Sequence, residues 1–173
     1  MEYCFNTNID LLETAKLLSP WLLAWVIYLI WHKQKEKEFI ANEAKDILRV
    51  IDNLIYSYYS IHVQYHLYME TPEIFSKDNY KLIINDNEVL KKDFDSKIKF
   101  LLNLINDCNI YENYQTYEKD KVFFEITEVF DENINKLEKL NISSNNMEKS
   151  LSNIKLDLVK YAMYKKKVQY KSA

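Results

Sequence analysis

Residues 17–31 read LLSPWLLAWVIYLIW, and this apolar stretch decides how we interpret the rest of the chain. No formally charged side chain lies between Lys16 and Lys33. At 1.5 Å per helical residue, these sixteen positions cover about 24 Å, against a hydrocarbon core of roughly 30 Å. Lysines at both ends can extend the reach by snorkelling, and tryptophans suit the membrane interfaces. The stretch therefore predicts a transmembrane anchor over residues 17–32.

The sequence around the apolar stretch predicts where the anchor helix begins and which alternatives remain. Ser19 and Pro20 form an N-cap followed by a first-turn proline, which predicts a new helix that begins at Pro20. A cleaved signal peptide is disfavoured, because acidic residues precede the run and no small-residue cleavage site follows. The alternative is a buried core helix of a soluble protein, which an uncharged run of this length permits. The residues expected to contact lipid are Leu17, Trp21, Leu22, Leu23, Trp25, Val26, Ile27, Leu29, Ile30 and Trp31.

Lysine asymmetry predicts the orientation of the anchor. Lys33, Lys35 and Lys37 follow the apolar run, whereas Lys16 alone precedes it. Positively charged flanks favour the cytoplasmic side, so the C-terminal part should be cytoplasmic. Residues 1–16 should then form an amphipathic segment outside the inner membrane.

The helix is predicted to continue from the anchor through a charged neck over residues 33–46. From Ile40 onward, apolar and aromatic residues recur four and three apart, which is the a/d spacing of helices that pack together. The pattern predicts a long helix ending near Met69 that packs on partner helices, either in the same chain or in another copy. The residues of this heptad face are Ile40, Ala44, Ile47, Ile51, Leu54, Tyr58, Ile61 and Tyr65.

Composition predicts an all-α fold and excludes several function classes. The chain has 173 residues, no glycine and two prolines, which leaves little chemistry for tight turns. Gly-rich phosphate loops are impossible without glycine. Nucleic-acid binding is not expected, because Arg49 is the single arginine and the net charge is −3. Cys4 and Cys108 would lie on opposite sides of the membrane and so cannot form a disulfide.

The rest of the chain, residues 47–173, is predicted to complete a cytosolic antiparallel four-helix bundle with the heptad helix. Short connections make neighbouring helices antiparallel. The predicted boundaries are a turn region over 70–86, helices over 86–107, 117–140 and 146–170, and connections over 109–117 and 141–146.

A lysine-rich end completes the predicted layout. In an antiparallel bundle the last helix runs towards the anionic inner leaflet. Each lysine near that leaflet contributes about 1 kcal/mol to membrane binding. Alternatively, these lysines complement the C-terminal end of a helix. The predicted lipid contacts are Lys33, Lys35, Lys37, Lys165, Lys166 and Lys167.

His62 and His66 offer the clearest metal-like spacing in the sequence. They lie four apart on the long helix, so both imidazoles could reach one ion. No HExxH motif occurs, and the sequence places no carboxylate as a third ligand, so we interpret them as core or surface histidines. No catalytic, cofactor or metal site is predicted, and no small-molecule substrate is evident.

The predicted function is non-enzymatic. We expect a single-pass membrane protein that recruits protein partners, or assembles as a homo-oligomer through its heptad face. This layout resembles that of small bacterial membrane proteins, some of which act in phage defence, but it shares no diagnostic motif with them. One alternative is an effector whose anchors cluster to disrupt the bilayer. A second is a soluble helical subunit that docks its apolar segment into a partner.

Overall fold

The computed structural model describes residues 11–71, 73, 76–127 and 134–170, and these are almost entirely helical. The helices are α1 (Leu11–Glu70), α2 (Lys77–Leu104), α3 (Cys108–Thr127) and α4 (Ile134–Ala162). No strand occurs in these residues, so the all-α class is confirmed. The chain divides into two compact units, Met1–Phe39 and Ile40–Ala173.

Helix α1 runs without interruption through Pro20, so the predicted helix start at Pro20 is wrong. The helix already begins at Leu11. Proline removes one backbone donor and leaves the carbonyl four residues earlier, on Lys16, without its usual partner. Lys16 is exposed, so water can bind this carbonyl. The predicted N-terminal segment lies mostly outside the described residues.

The core of the second unit is built on the heptad face of α1. The described residues of that face, from Ile40 to Ile61, are at most 2% exposed. They pack with apolar residues from α2, α3 and α4 in one cluster. Each buried Ile or Leu side chain contributes about 1.5–3 kcal/mol before entropy is counted. The side chain of Tyr65, the last residue of the predicted face, lies outside the described residues.

Helix α2 begins earlier than the predicted start at residue 86. Ser76 caps it, because its hydroxyl accepts a hydrogen bond from the Asn79 N–H at 3.3 Å. Its first turns contribute the buried Tyr80 and the fully buried Asn87 to the core. Asn87 donates to the Ser57 hydroxyl at 3.1 Å and so links α2 to α1.

Helix α3 occupies the segment that was predicted to be a connection over 109–117, so that prediction is wrong. Asp107 caps the helix by accepting hydrogen bonds from the backbone N–H groups of Asn109 at 3.2 Å and Ile110 at 3.5 Å. Ile110, Tyr114 and Tyr117 are buried at i, i+4 and i+7. Their neighbours are polar, and this composition obscures the helical period.

Helix α4 begins at Ile134 and passes through residues 141–146, so the predicted connection there is wrong. The helix predicted over 117–140 coincides with the later part of α3 up to Thr127 and with the start of α4, and its part over 128–133 lies outside the described residues. Two buried serines interrupt the apolar stripe of α4. Ser143 donates to the Asp120 carbonyl at 3.2 Å, and Ser150 donates to the Asp120 carboxylate at 3.4 Å.

Helix α4 ends at Ala162 instead of at the predicted residue 170. The Tyr164 N–H bonds the Tyr161 carbonyl at 2.9 Å, and the Lys165 N–H bonds the Lys160 carbonyl at 2.8 Å. This pair of bonds is the Schellman motif, with Tyr164 in the left-handed conformation at φ 57°. The tail beyond it returns to the start of α3, where the Asn106 N–H bonds the Gln169 carbonyl at 2.6 Å.

Candidate membrane segment and side-chain clusters

The first unit presents a helical segment that is exposed at every position from residue 15 to residue 39. Successive residues of a helix are rotated by about 100°, so consecutive exposed apolar residues cover the whole circumference. Leu17 is 74% exposed and Trp21 is 76% exposed. All the predicted lipid-facing residues are exposed, and the least exposed is Leu29 at 44%. A helix that is apolar all round needs cover from lipid or from protein.

Within the described residues, α1 is the one helix that is long and apolar enough to cross a membrane, judged by length and composition. None of its apolar window is buried inside the chain. The alternative of a core helix requires burial against the same chain, and this segment does not have it.

The early start of α1 changes the length argument for the anchor. From Leu11 to His32 the helix rises about 33 Å, more than the roughly 30 Å hydrocarbon core. Apart from the Lys16 carbonyl that Pro20 leaves without a partner, its backbone groups bond within the helix, as a bilayer requires. The candidate span is therefore longer than the sixteen positions between Lys16 and Lys33, although Glu13 and Lys16 lie near its N-terminal end.

The predicted lipid-contacting lysines have different surroundings. Lys33, Lys35 and Lys37 are exposed after the apolar segment, and Lys35 pairs with Glu38 at 3.0 Å. Near the C-terminus, Lys166 bonds the Asp107 carboxylate at 2.5 Å. Its two neighbours, Lys165 and Lys167, are exposed and lie beyond the end of α4.

Asp107 holds the start of α3, the end of α4 and the tail together. Its side chain is 4% exposed and also accepts a hydrogen bond from the Tyr161 hydroxyl at 2.8 Å. Burial opposes ionisation of this carboxyl, but the bonds from Lys166 and Tyr161 outweigh it and lower the pKa of Asp107. The sequence pattern did not predict this group, although an Asp three residues before Ile110 is a helix-start signal.

A second ionic cluster joins α2 to α3. Lys121 donates to Asp95 at 2.6 Å and to Glu118 at 2.8 Å. Burial raises the pKa of Asp95, and Lys121 offsets this only in part. Burial favours the neutral form of Glu118 as well, but the hydrogen bond and the charge of Lys121 outweigh this effect and lower the pKa of Glu118. One lysine thus pairs with both carboxyl groups, and this mutual pairing favours a structural role.

An apolar groove lies between α1 and α2 on the described surface of the second unit. It has a volume of about 460 Å³, and Ile83, Leu90 and Ser57 line it. Tyr56, 70% exposed, and Val89, 66% exposed, stand at its rim. This groove was not predicted, because the heptad pattern marks the buried face of α1 and not the exposed one.

His62 and His66 contact each other near the C-terminal end of α1. Their ring centroids are 4.9 Å apart with an interplanar angle of 80°. The His66 Nδ1 lies 3.3 Å from a carboxylate oxygen of Glu70. In the part of the chain that the structure describes, no group of three or more His, Cys, Asp or Glu residues is arranged to hold a metal ion.

Comparison with protein-family models, with characterised proteins and with solved structures finds no match. The residues that the structure describes are all-helical and include one candidate membrane-spanning helix.

Proposed function

We propose that this chain is a single-pass membrane protein whose helical domain recruits, or assembles with, protein partners at the inner face of the membrane. The observation that supports it is the helix over residues 17–31, which is apolar on every face and exposed throughout. In water, such a surface costs roughly 25 cal/mol for every Å² left uncovered. Lipid covers all faces of a helix at once, whereas a protein groove ordinarily covers one side.

The proposed topology places the N-terminus outside and the domain in the cytoplasm. It is supported by exposed Lys33, Lys35 and Lys37 on the C-terminal flank. The proposed domain is an antiparallel four-helix bundle. Contacts between α3 and α4 support this arrangement, because Asp107 meets Tyr161 whereas the later Asp120 meets the earlier Ser150.

The proposed assembly uses exposed surface, not the heptad face. The described residues of that face are buried in the chain's own core, so pairing through them would require the domain to open. The groove between α1 and α2 offers apolar surface without that cost, with Tyr56 and Val89 at its rim.

The domain's role is proposed to be non-enzymatic, which the mutual pairing of Asp95, Glu118 and Lys121 supports.

Carbonate extraction of membranes tests the anchor, and the chain's two cysteines test the topology. The full-length chain should stay in the carbonate pellet. A membrane-impermeant maleimide added to spheroplasts should label Cys4 and should reach Cys108 only after lysis. Cys4→Ser and Cys108→Ser variants assign each signal, and Cys108 is suitable because it is exposed and free.

Two results would contradict the proposal. Release into the carbonate supernatant would favour the soluble subunit that docks its apolar segment into a partner. Labelling of Cys108 in intact spheroplasts would reverse the topology. Light scattering of the detergent-solubilised protein then counts subunits, and a monomer would leave assembly to a different protein.

A further inference from the structure

The His62 and His66 rings contact each other at a centroid separation that two imidazoles sharing one metal ion would also have. A ring nitrogen lies about 2.0–2.1 Å from a bound Zn²⁺, which puts the centroids of two such rings about 5 Å apart at tetrahedral angles. The observed centroid separation is 4.9 Å. Both residues lie on α1 and are spaced i, i+4, so the helix backbone holds their Cβ atoms about 5–6 Å apart.

Each ring has an unusual polar environment. The Nδ1 atom of His62 is buried and has no hydrogen-bond partner within the described residues. A buried polar atom without a partner costs free energy, and an unobserved ion is one of the ordinary explanations.

Glu70 supplies the contact that metal-binding histidines commonly have. Its carboxylate lies 3.3 Å from the His66 Nδ1 and can accept a hydrogen bond from it. Such a carboxylate fixes the tautomer and the orientation of the ring, and leaves the other nitrogen free to bind a metal. Imidazole nitrogens suit Zn²⁺, Ni²⁺ and Cu²⁺, whereas Mg²⁺ and Ca²⁺ prefer oxygen.

We propose that His62 and His66 bind a divalent transition-metal ion of the Zn²⁺ class, with Glu70 as the residue that positions His66. The chain supplies two ligands and water completes the coordination. Because the two histidines lie one helical turn apart, the ion bridges successive turns close to the end of α1 at Glu70. Binding therefore stabilises this end of the helix. The inference holds whether or not α1 crosses a membrane.

Isothermal titration with ZnCl₂ tests the site on the full-length chain in detergent. The chain carries Cys4→Ser and Cys108→Ser, so that thiolates do not contribute. One saturable site per chain is expected, and excess Mg²⁺ should not displace the ion. His62→Ala and His66→Ala should each weaken binding more than Glu70→Gln, which should weaken it about tenfold. His32 is the third histidine of the chain, so His32→Ala is the matched control and should bind as the parent does.

Thermal unfolding gives a second measurement that does not depend on heats of binding. Zn²⁺ should raise the Tm of the parent, because an ion that binds only the folded state stabilises it by mass action. It should not raise the Tm of the His62→Ala/His66→Ala double variant. Circular dichroism should show parental helicity in every variant. Parental Zn²⁺ affinity in the double variant, displacement by Mg²⁺, or no saturable binding at millimolar Zn²⁺ would overturn the proposal.

Discussion

Tyr164 has the backbone conformation that proteins ordinarily assign to glycine. It follows the C-terminal cap of α4 with φ at 57°, and its side chain is exposed. A side chain in this left-handed region costs roughly 1–2 kcal/mol, because Cβ crowds the following carbonyl oxygen. The chain contains no glycine, so a residue with a Cβ atom has to occupy this position.

Replacing Tyr164 with glycine should therefore stabilise the protein. Relief of the crowding is partly offset by the greater freedom of glycine in the unfolded chain, so we expect a gain of about 0.5–1 kcal/mol in the free energy of unfolding. Urea unfolding of the full-length chain in mild detergent, followed by circular dichroism, measures this difference.

Met163 provides the matched control for this change. It is the adjacent residue, it is 55% exposed, and it has no positive φ. Met163→Gly should destabilise the protein or leave it unchanged, because only the entropic cost of glycine remains. A gain of similar size in both variants would contradict the explanation from backbone crowding.

At the scale of elements, Asp107 couples two helices and the tail. A carboxyl whose pKa is lowered on folding adds stability above its unfolded pKa of about 3.9, and this stability is lost as the pH falls through the lower folded pKa. The free energy of unfolding should therefore decrease as the pH falls below about 4. Asp107→Asn should decrease less over this range, because its amide does not titrate.

The same variant should be less stable than the parent at pH 7. Asparagine can still cap α3, but it loses the charge that Lys166 and Tyr161 meet, and hydrogen bonds to charged groups contribute about 2 kcal/mol. Asp46→Asn is the control, since Asp46 is exposed and meets Arg49 at 3.5 Å; its effect should stay within about 0.5 kcal/mol. Parallel pH profiles for the parent and Asp107→Asn would remove Asp107 as the source of the acid sensitivity.

Helices whose buried faces are apolar were easier to predict from the sequence than helices whose buried faces contain polar residues. The heptad face of α1 is almost purely apolar, and its described residues are all buried. The buried stripe of α4 instead contains Ser143 and Ser150, whose hydroxyls donate hydrogen bonds to Asp120. Such pairs depend on residues that are distant in sequence, so the hydrophobic period alone cannot reveal them.

The end of α4 likewise depends on contacts that the local sequence pattern does not reveal. The sequence predicts a helix over 146–170, and no glycine marks an earlier end in this glycine-free chain. The stop at Ala162 instead depends on Tyr164 in a glycine-like conformation and on contacts of the tail with Asn106 and Asp107. These contacts join residues about sixty positions apart, and local pattern carries no information about them.

For the whole molecule, the main contrast is between a unit with a buried core and a segment whose apolar side chains are all exposed. Residues 17–31 would be a liability in water, since exposed apolar patches of this kind mark sites that bind a membrane or a protein. The two kinds of cover differ in one measurable respect. The cost of a charge in a bilayer depends on its depth, whereas the cost in a protein groove depends on which face carries it.

Arginine substitutions at two depths therefore distinguish lipid from a protein groove. Ala24 lies in the middle of residues 17–32, where arginine costs about 2.5–3.5 kcal/mol in a membrane helix. At Trp31, next to the lysine flank, arginine can snorkel and should cost much less. Carbonate extraction should release Ala24→Arg while retaining Trp31→Arg. Leu156→Arg, on α4 at a side chain that is 65% exposed, should extract as the parent does. Equal release of Ala24→Arg and Trp31→Arg would contradict a membrane span and favour docking into a protein, because only a bilayer makes the position along the helix decide the cost.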